Sequence, residues 1–318
     1  MLKEIFSKNR DIIVNTDIDG FLCGLFLQKY FDCRIVGFSN SKKEIWIIPE
    51  IPSIYDPVYI DLYVVNPKVV CIEQHIIAKD DAHLNKIKAL GTKFNPNLDR
   101  NRTFEGDYYH KYPFGTIHYL LAQMEKEGIN VALPDLQKIV SYPHDGNSTT
   151  LGHIIMRADD ALHSTLSAYR DNAIDWWEYL DEGKNLVSVF DFVNFINKCE
   201  RSQTDAYKRN IGNFFKTAGC KGADGAFDSI TDSDGNLKPE VYNFYHFLKE
   251  AFEMPSHLSI PQKFEIHTGT FERCFLRKND SASDSILCDP NLYSYAYIWS
   301  AFKISEFQFH PLYEMMDN

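Results

Sequence analysis

Two aspartates two residues apart, Asp17 and Asp19, stand between Asn15 and Gly20 in the string Val14-Asn15-Thr16-Asp17-Ile18-Asp19-Gly20. In an extended segment residues i and i+2 point the same way, so Asp17, Asp19 and the amide of Asn15 can share one face. Carboxylate and amide oxygens on one face suit a hard divalent cation such as Mg²⁺, Mn²⁺ or Ca²⁺. The same residue types also cap helices, because an aspartate oxygen accepts the free backbone N–H groups of a first turn. Further acidic residues follow two apolar runs: Asp61 after Val58-Tyr59-Ile60, and Glu73-Gln74-His75 after Val69-Val70-Cys71-Ile72. His75 adds an imidazole whose ordinary pKa of about 6.5 suits proton transfer.

Such groups need elements to position them. Asp11-Ile12-Ile13-Val14 reads as a short buried strand and residues 21–31 as the helix after it, which sets the aspartate pair in a strand-to-helix turn. In α/β folds that turn is where ligands sit. The run 58–60, continuing through 62–65, and the run 69–72 read as further strands, each with an acidic residue at or near its carboxyl end. Pro113-Phe114-Gly115-Thr116-Ile117 then opens an amphipathic helix through Met124. A second helical segment is expected near residues 133–140, ahead of Ser141-Tyr142-Pro143-His144-Asp145-Gly146.

In that order of strands, acidic residues and helices the chain resembles the DHH phosphoesterase family over about residues 10–150. The family's first motif, His-x-Asp-x-Asp-Gly, is similar to residues 15–20, with Asn15 in place of the histidine. Its bridging aspartate is similar to Asp61 in VYIDLYV, its Asp-His-His to Glu73-Gln74-His75, and its fourth aspartate falls on Asp145. The resemblance implies two metal ions at the ends of parallel strands and hydrolysis of a phosphodiester or phosphoanhydride bond. It implies that Asp61 bridges the ions, that Asp17 completes one, and that Asp19 and Asp145 complete the other. Asn15 and Gln74 would offer amide carbonyls where the family has imidazoles, with Glu73 behind them or swung inward. His75 would contact the scissile phosphate and protonate the leaving oxygen. An oxygen-only ligand set points to Mg²⁺ or Mn²⁺, two ions if the site is active. Replacement of both imidazoles also allows the other outcome, a catalytically inactive DHH-like relative that serves as a nucleotide- or partner-binding module.

A second charged segment follows. Ile155, Ala158, Leu162, Leu166 and Tyr169 recur at helical spacing, with Arg157, Asp160 and Ser164 on one stripe. Arg157 is a candidate phosphate clamp there, and Asp159 or Asp160 a substitute fourth carboxylate. The plainer reading is an exposed helix with an i,i+3 pair between Arg157 and Asp160. His144-Asp145, cast with His118 and Asp159, also fits the pattern of the metal-dependent HD phosphohydrolases. That family is all-helical, and the strands of the first 75 residues argue against it.

At 318 residues, 44% apolar and 14% aromatic, the chain can bury a sizeable core. The expected fold is α/β. A DHH-like domain with a parallel sheet and helices on both faces would span residues 1–180, and a helical linker with a smaller α+β domain, serving substrate binding, residues 181–318. No run reaches the roughly 18 to 20 apolar residues of a membrane helix. The N-terminal residues are too charged for a signal peptide, so a cytoplasmic location with no membrane partner is expected. Seven cysteines form no CxxC pair and read as reduced thiols. A net charge of −11 disfavours long duplex nucleic acid. The partner expected is instead a small phosphorylated substrate, a cyclic nucleotide or a short oligonucleotide, and composition is compatible with an oligomer. Lys42, Lys43, Lys79, Lys93, Arg100 and Arg102 could accept a phosphate tail, and residues 94–97 and 108–110 could stack a base.

Overall fold

A helix that is apolar all round has to be buried all round, and the chain builds its first layer on such a helix. The computed structural model describes residues 1–142, 147–158, 170–181, 201–222, 224–276, 282–300 and 303–309. After a short helix α1 (Leu2–Lys8), the strand β1 (Asp11–Asn15) runs into α2 (Ile18–Phe31), in which every residue from Ile18 to Gln28 is buried. The helix begins three residues earlier than its apolar run, because Asp17 is its N-cap: a carboxylate oxygen accepts the Gly20 N–H at 3.0 Å. The Asp-x-Asp-Gly string therefore lies half before the helix and half within its first turn.

From α2 the chain returns in β2 (Arg34–Ser39), parallel to β1, and reverses in β3 (Glu44–Ile47), antiparallel to β2. It then crosses to the other side of β1. There β4 (Val58–Ile60), β5 (Cys71–Ile72) and β6 (Lys93–Phe94) add in parallel, each beside the last. Both latter runs are shorter than their apolar stretches suggest. β4 stops because Asp61 takes a left-handed conformation at φ 62°, and β5 starts late because Asn66 makes a turn, accepting the N–H groups of Lys68 and Val69. Between β5 and β6 lies α3 (Asp81–Leu90), and α4 (Pro96–Asp99), α5 (Phe104–Asp107) and α6 (Thr116–Lys126) follow.

The helix expected near residues 133–140 is absent. Pro134 and an Asp135 side chain that accepts the Gln137 N–H at 2.9 Å make a turn instead, and Ile139–Ser141 (β7) pairs antiparallel with Ser148–Thr150 (β8). Next come α7 (Leu151–Arg157), α8 (Arg170–Asp181), α9 (Arg201–Thr217) and α10 (Pro239–Ala251). The helix expected across residues 155–169 is described only to Arg157, and residues 182–200, at the start of the expected helical linker, lie outside the described residues. Glu265–Thr268 (β9) is followed by β10 (Phe271–Leu276), α11 (Ala282–Leu287), β11 (Ile298–Ser300) and β12 (Lys303–Phe309), the last three strands forming a small antiparallel sheet.

The main sheet has seven strands in the order β6-β5-β4-β1-β2-β3-β9, mostly parallel, so the fold is mixed α/β. Because β9 pairs with β3, this sheet draws strands from both sides of the boundary expected at residue 180. The core does so too. Phe21 on α2 meets Phe38 on β2, Phe227, and Phe244 on α10, with ring centroids 5.5–6.0 Å apart. Edge-on aromatic contacts of this kind add to the burial of their large apolar area. Among the described residues no helix is long and apolar enough to cross a membrane.

Candidate functional site

The strand order reverses at β1, where β2 lies on one side and β4 on the other, and α/β sheets open a crevice beyond the carboxyl ends at such a point. Parallel register brings the last residues of neighbouring strands to one level. Asn15 ends β1, Asp61 follows β4, Glu73 follows β5 and Asn95 follows β6, and ladder bonds run on from Asp61 N–H to the Ile72 carbonyl (2.8 Å) and from Glu73 N–H to the Phe94 carbonyl (3.1 Å). All four side chains are buried. Burying carboxylates demands donors, since an ionised acid loses its hydration shell.

The donors are in place. The Asn15 Nδ2 group donates to Asp17 Oδ2 and to Asp61 Oδ2, both at 3.0 Å, while its Oδ1 accepts the Thr16 N–H at 2.8 Å. The Thr116 hydroxyl donates to Asp61 Oδ1 at 2.7 Å. Asp19, 1% exposed, accepts the first N–H groups of α6: Thr116 N–H on Oδ2 at 2.6 Å and Ile117 N–H on Oδ1 at 2.8 Å. The Cys23 thiol adds a weak bond to Asp19 Oδ1 at 3.7 Å, and burial pushes that thiol well up from its ordinary pKa. Together with the Gly20 N–H on Asp17 Oδ1, every oxygen of the three aspartates accepts a hydrogen bond from a neutral group of the protein. A carboxylate at a helix N-terminus is further favoured by the helix dipole.

Two glycines make the approach possible. A Cβ on Gly20 would lie 2.2 Å from the Asn15 carbonyl oxygen, and one on Gly115 would lie 2.6 Å from Asp19 Oδ2. The loop is also held from outside. Thr16 exchanges bonds with Phe227, its hydroxyl donating at 2.8 Å and its carbonyl accepting at 3.0 Å, and Ile18 N–H donates to the Asp224 carbonyl at 3.2 Å.

Next along the row, Glu73 accepts the His75 N–H at 2.6 Å and an Asn95 amide hydrogen, and the His75 Nδ1 lies 3.4 Å from Glu73 Oε2. Glu73 thus orients a histidine whose side chain is 30% exposed. Gln74 is buried, with its amide nitrogen 3.4 Å from both ring nitrogens of His75. Arg157 ends α7, and Asp145, Asp159 and Asp160 lie outside the described residues. The structure therefore brings together Asn15, Asp17, Asp19 and Asp61, and separately Glu73, Gln74 and His75, along one row of strand ends.

Several basic residues expected to meet phosphate are committed elsewhere. Lys79 and Lys93 are buried, Arg100 pairs with Asp175 at 2.7 Å and lies 4.4 Å from the Trp176 ring, and Arg102 pairs with Asp107 at 3.1 Å. Asn95 and Asn97 join the backbone network, accepting the N–H groups of Asn97 and Tyr112, instead of flanking a stacked base.

Two important residues escaped the sequence reading, and a third was given another role. Thr116 was seen only as part of a helix start, and Asn95 only as a neighbour of Phe94. His118, considered as a metal ligand, is instead buried in the first turn of α6. Its Nδ1 accepts the Gly115 N–H at 3.2 Å, its Nε2 has no hydrogen-bond partner among the described residues, and burial holds its pKa down to about 4. The signal for Thr116 was the Gly-Thr pair itself, since close approach at a helix start calls for a glycine beside a donor.

A pair of divalent ions requires carboxylate oxygens turned toward a shared centre. Here an amide NH₂ stands between Asp17 and Asp61, donating where a ligand would have to accept, and Asn15 spends its carbonyl on the backbone. The orientation of that amide follows from its partners, because its oxygen facing two carboxylates would be repelled. Among the described residues no three His, Cys, Asp or Glu side chains are grouped as a metal ion requires. As oriented, the Asn15 amide offers Asp17 and Asp61 hydrogens and no ligand atom. No protein-family model matches the chain, and neither the curated proteins nor the solved structures contain a match.

Two outcomes follow. Thr116→Val keeps the shape but leaves Asp61 Oδ1 without its hydroxyl donor, which should cost about 1–3 kcal/mol in urea denaturation; an unchanged midpoint would show that the bond contributes nothing. Burial pushes His118 and His153 each down to about 4, below the unfolded value of about 6.5. Unfolding is therefore favoured by proton uptake as pH falls, so the stability these neutral histidines carry is complete above about pH 6.5 and is lost progressively toward pH 4. His118→Phe should flatten that part of the melting-temperature profile, whereas a profile identical to the parent's would remove His118 from the account.

Proposed function

We propose that the chain is a catalytically silent, DHH-like relative of the two-metal phosphoesterases that acts as a binding module. Its acidic strand tips serve as an internal hydrogen-bonded lock, and its ligand is a nucleotide met at the rim of the same crevice. The observation that carries this reading is the Asn15 amide, 3.0 Å from both Asp17 and Asp61 and facing them with its hydrogens. In the family's pattern an imidazole holds that position. An amide donor neutralises no charge and activates no water, yet it keeps the loop shape. His75, partly exposed and backed by Glu73, is the group through which the rim would meet a phosphate.

The competing reading, a hydrolase acting on a phosphodiester or phosphoanhydride with Mg²⁺ or Mn²⁺, is favoured by the gathering of Asp17, Asp19 and Asp61 around Asn15 and Thr116. In it Asp17, Asp19 and Asp61 would hold the metal and His75 would serve the phosphate, with Asp145 completing the set. Turnover separates the two. With bis(p-nitrophenyl) phosphate and millimolar Mn²⁺ the silent reading expects hydrolysis no faster than buffer, together with a rise in melting temperature on adding mono- or cyclic nucleotides that His75→Ala removes. Mn²⁺-dependent hydrolysis that disappears in Asp61→Ala would establish the hydrolase instead.

A further inference from the structure

Cys71 and Lys93 are direct cross-strand partners on β5 and β6, and Lys93 Nζ lies 3.6 Å from Cys71 Sγ. The rest of the ammonium's hydrogens go to the carbonyls of Val69 (2.6 Å) and Asn66 (2.8 Å). Lys93 is only 7% exposed, and Cys71 is fully buried. A buried lysine is costly unless something compensates for it, and here it meets carbonyl dipoles and a thiol in place of a carboxylate. An apolar side chain would suit the position better if stability were its sole purpose. Burial pulls the lysine's pKa down and pushes the thiol's up, so both groups are held toward their neutral forms. Glu73 is a neighbouring charge for the pair, as Asp19 is for Cys23 and Asp224 for Cys220; the lysine beside the sulfur is what sets Cys71 apart from those two.

We propose that Cys71 and Lys93 form an oxidative modification site, at which a hydroperoxide converts the pair into a covalent Nζ–O–Sγ bridge that staples β5 to β6. β6 is the outermost strand of the sheet, and the 7% of Lys93 that is exposed is the side from which a small oxidant would reach the pair. The first hydrogen peroxide oxidises the thiol to a sulfenic acid: the S–H bond breaks, an S–O bond forms, and one water leaves. The second removes the sulfenic hydrogen and one amine hydrogen with two electrons, the O–N bond forms, and two waters leave. Two equivalents of a dithiol return the pair to thiol and amine with release of one water. The single-atom bridge needs nitrogen and sulfur closer than they stand, and the flexible four-carbon stem of lysine allows it. Glu73 and Asn95 lie two residues further along the same two strands, so the staple would fix the outer half of the polar row.

The test is hydrogen peroxide treatment of the full chain, protease digestion and mass spectrometry. Expected is a linked pair of peptides carrying Cys71 and Lys93, heavier than their sum by one oxygen less two hydrogens. It should revert with dithiothreitol and be missing in Cys71→Ser and in Lys93→Arg, which retains the charge. Recovery of Cys71 as sulfinic or sulfonic acid, or unmodified, with Lys93 unlinked in the parent protein would overturn the proposal.

Discussion

Everything at the carboxyl ends of the sheet depends on how two aspartates, Asp19 and Asp61, are kept in the interior with a third, Asp17, half-buried beside them. A buried carboxylate must find hydrogen-bond donors or a cation, and this chain supplies donors: the amide of Asn15, the hydroxyl of Thr116 and the first N–H groups of α6 and α2. Hydrogen bonds to charged acceptors contribute about 1.5–3 kcal/mol each, more than neutral ones. Asn15 and Thr116 matter most because each serves two acids at once. They tie the tip of β1 to the tip of β4, and α2 to α6, so the lock joins the sheet to the helices over it.

The geometry that places the lock follows from strand order. β1 is flanked by β2 and β4, the chain passes from one side to the other, and the resulting crevice is covered by the start of α6. Gly115 lets that helix start reach Asp19, and Gly20 lets α2 begin hard against β1. From the far end of the chain, residues 224–227 close over Thr16 and Ile18, and β9 extends the sheet. The loop is thus fixed from several directions.

Much of this was legible in the residues. The strand β1, the helix after it, the parallel strands ending in Asp61 and Glu73, and the helix opened by Thr116 all follow from apolar runs bounded by polar ends. Other features were not. The direction of the Asn15 amide depends on partners 46 and 1 residues away, Asp61 and Thr16, and no local pattern encodes it. Asp61 looked like a residue inside a strand because apolar residues lie on both sides, yet its left-handed backbone ends the strand and turns the carboxylate toward Asn15 and Thr116; aspartate is among the residues that tolerate this conformation. Residues 133–140 carried enough apolar side chains to suggest a helix, but Pro134 and the Asp135 turn prevented it. Lys93, read as a basic group that could accept a phosphate tail, is instead buried, its ammonium turned to the carbonyls of Asn66 and Val69.

The most direct measurement is a high-resolution crystal structure of the protein soaked in Mn²⁺, with anomalous scattering collected at the manganese edge. The account predicts no anomalous peak among Asp17, Asp19 and Asp61, and an Asn15 nitrogen that remains within hydrogen-bond distance of Asp17 and Asp61. A manganese peak there, with the Asn15 amide turned so that its oxygen faces the ion, would contradict it.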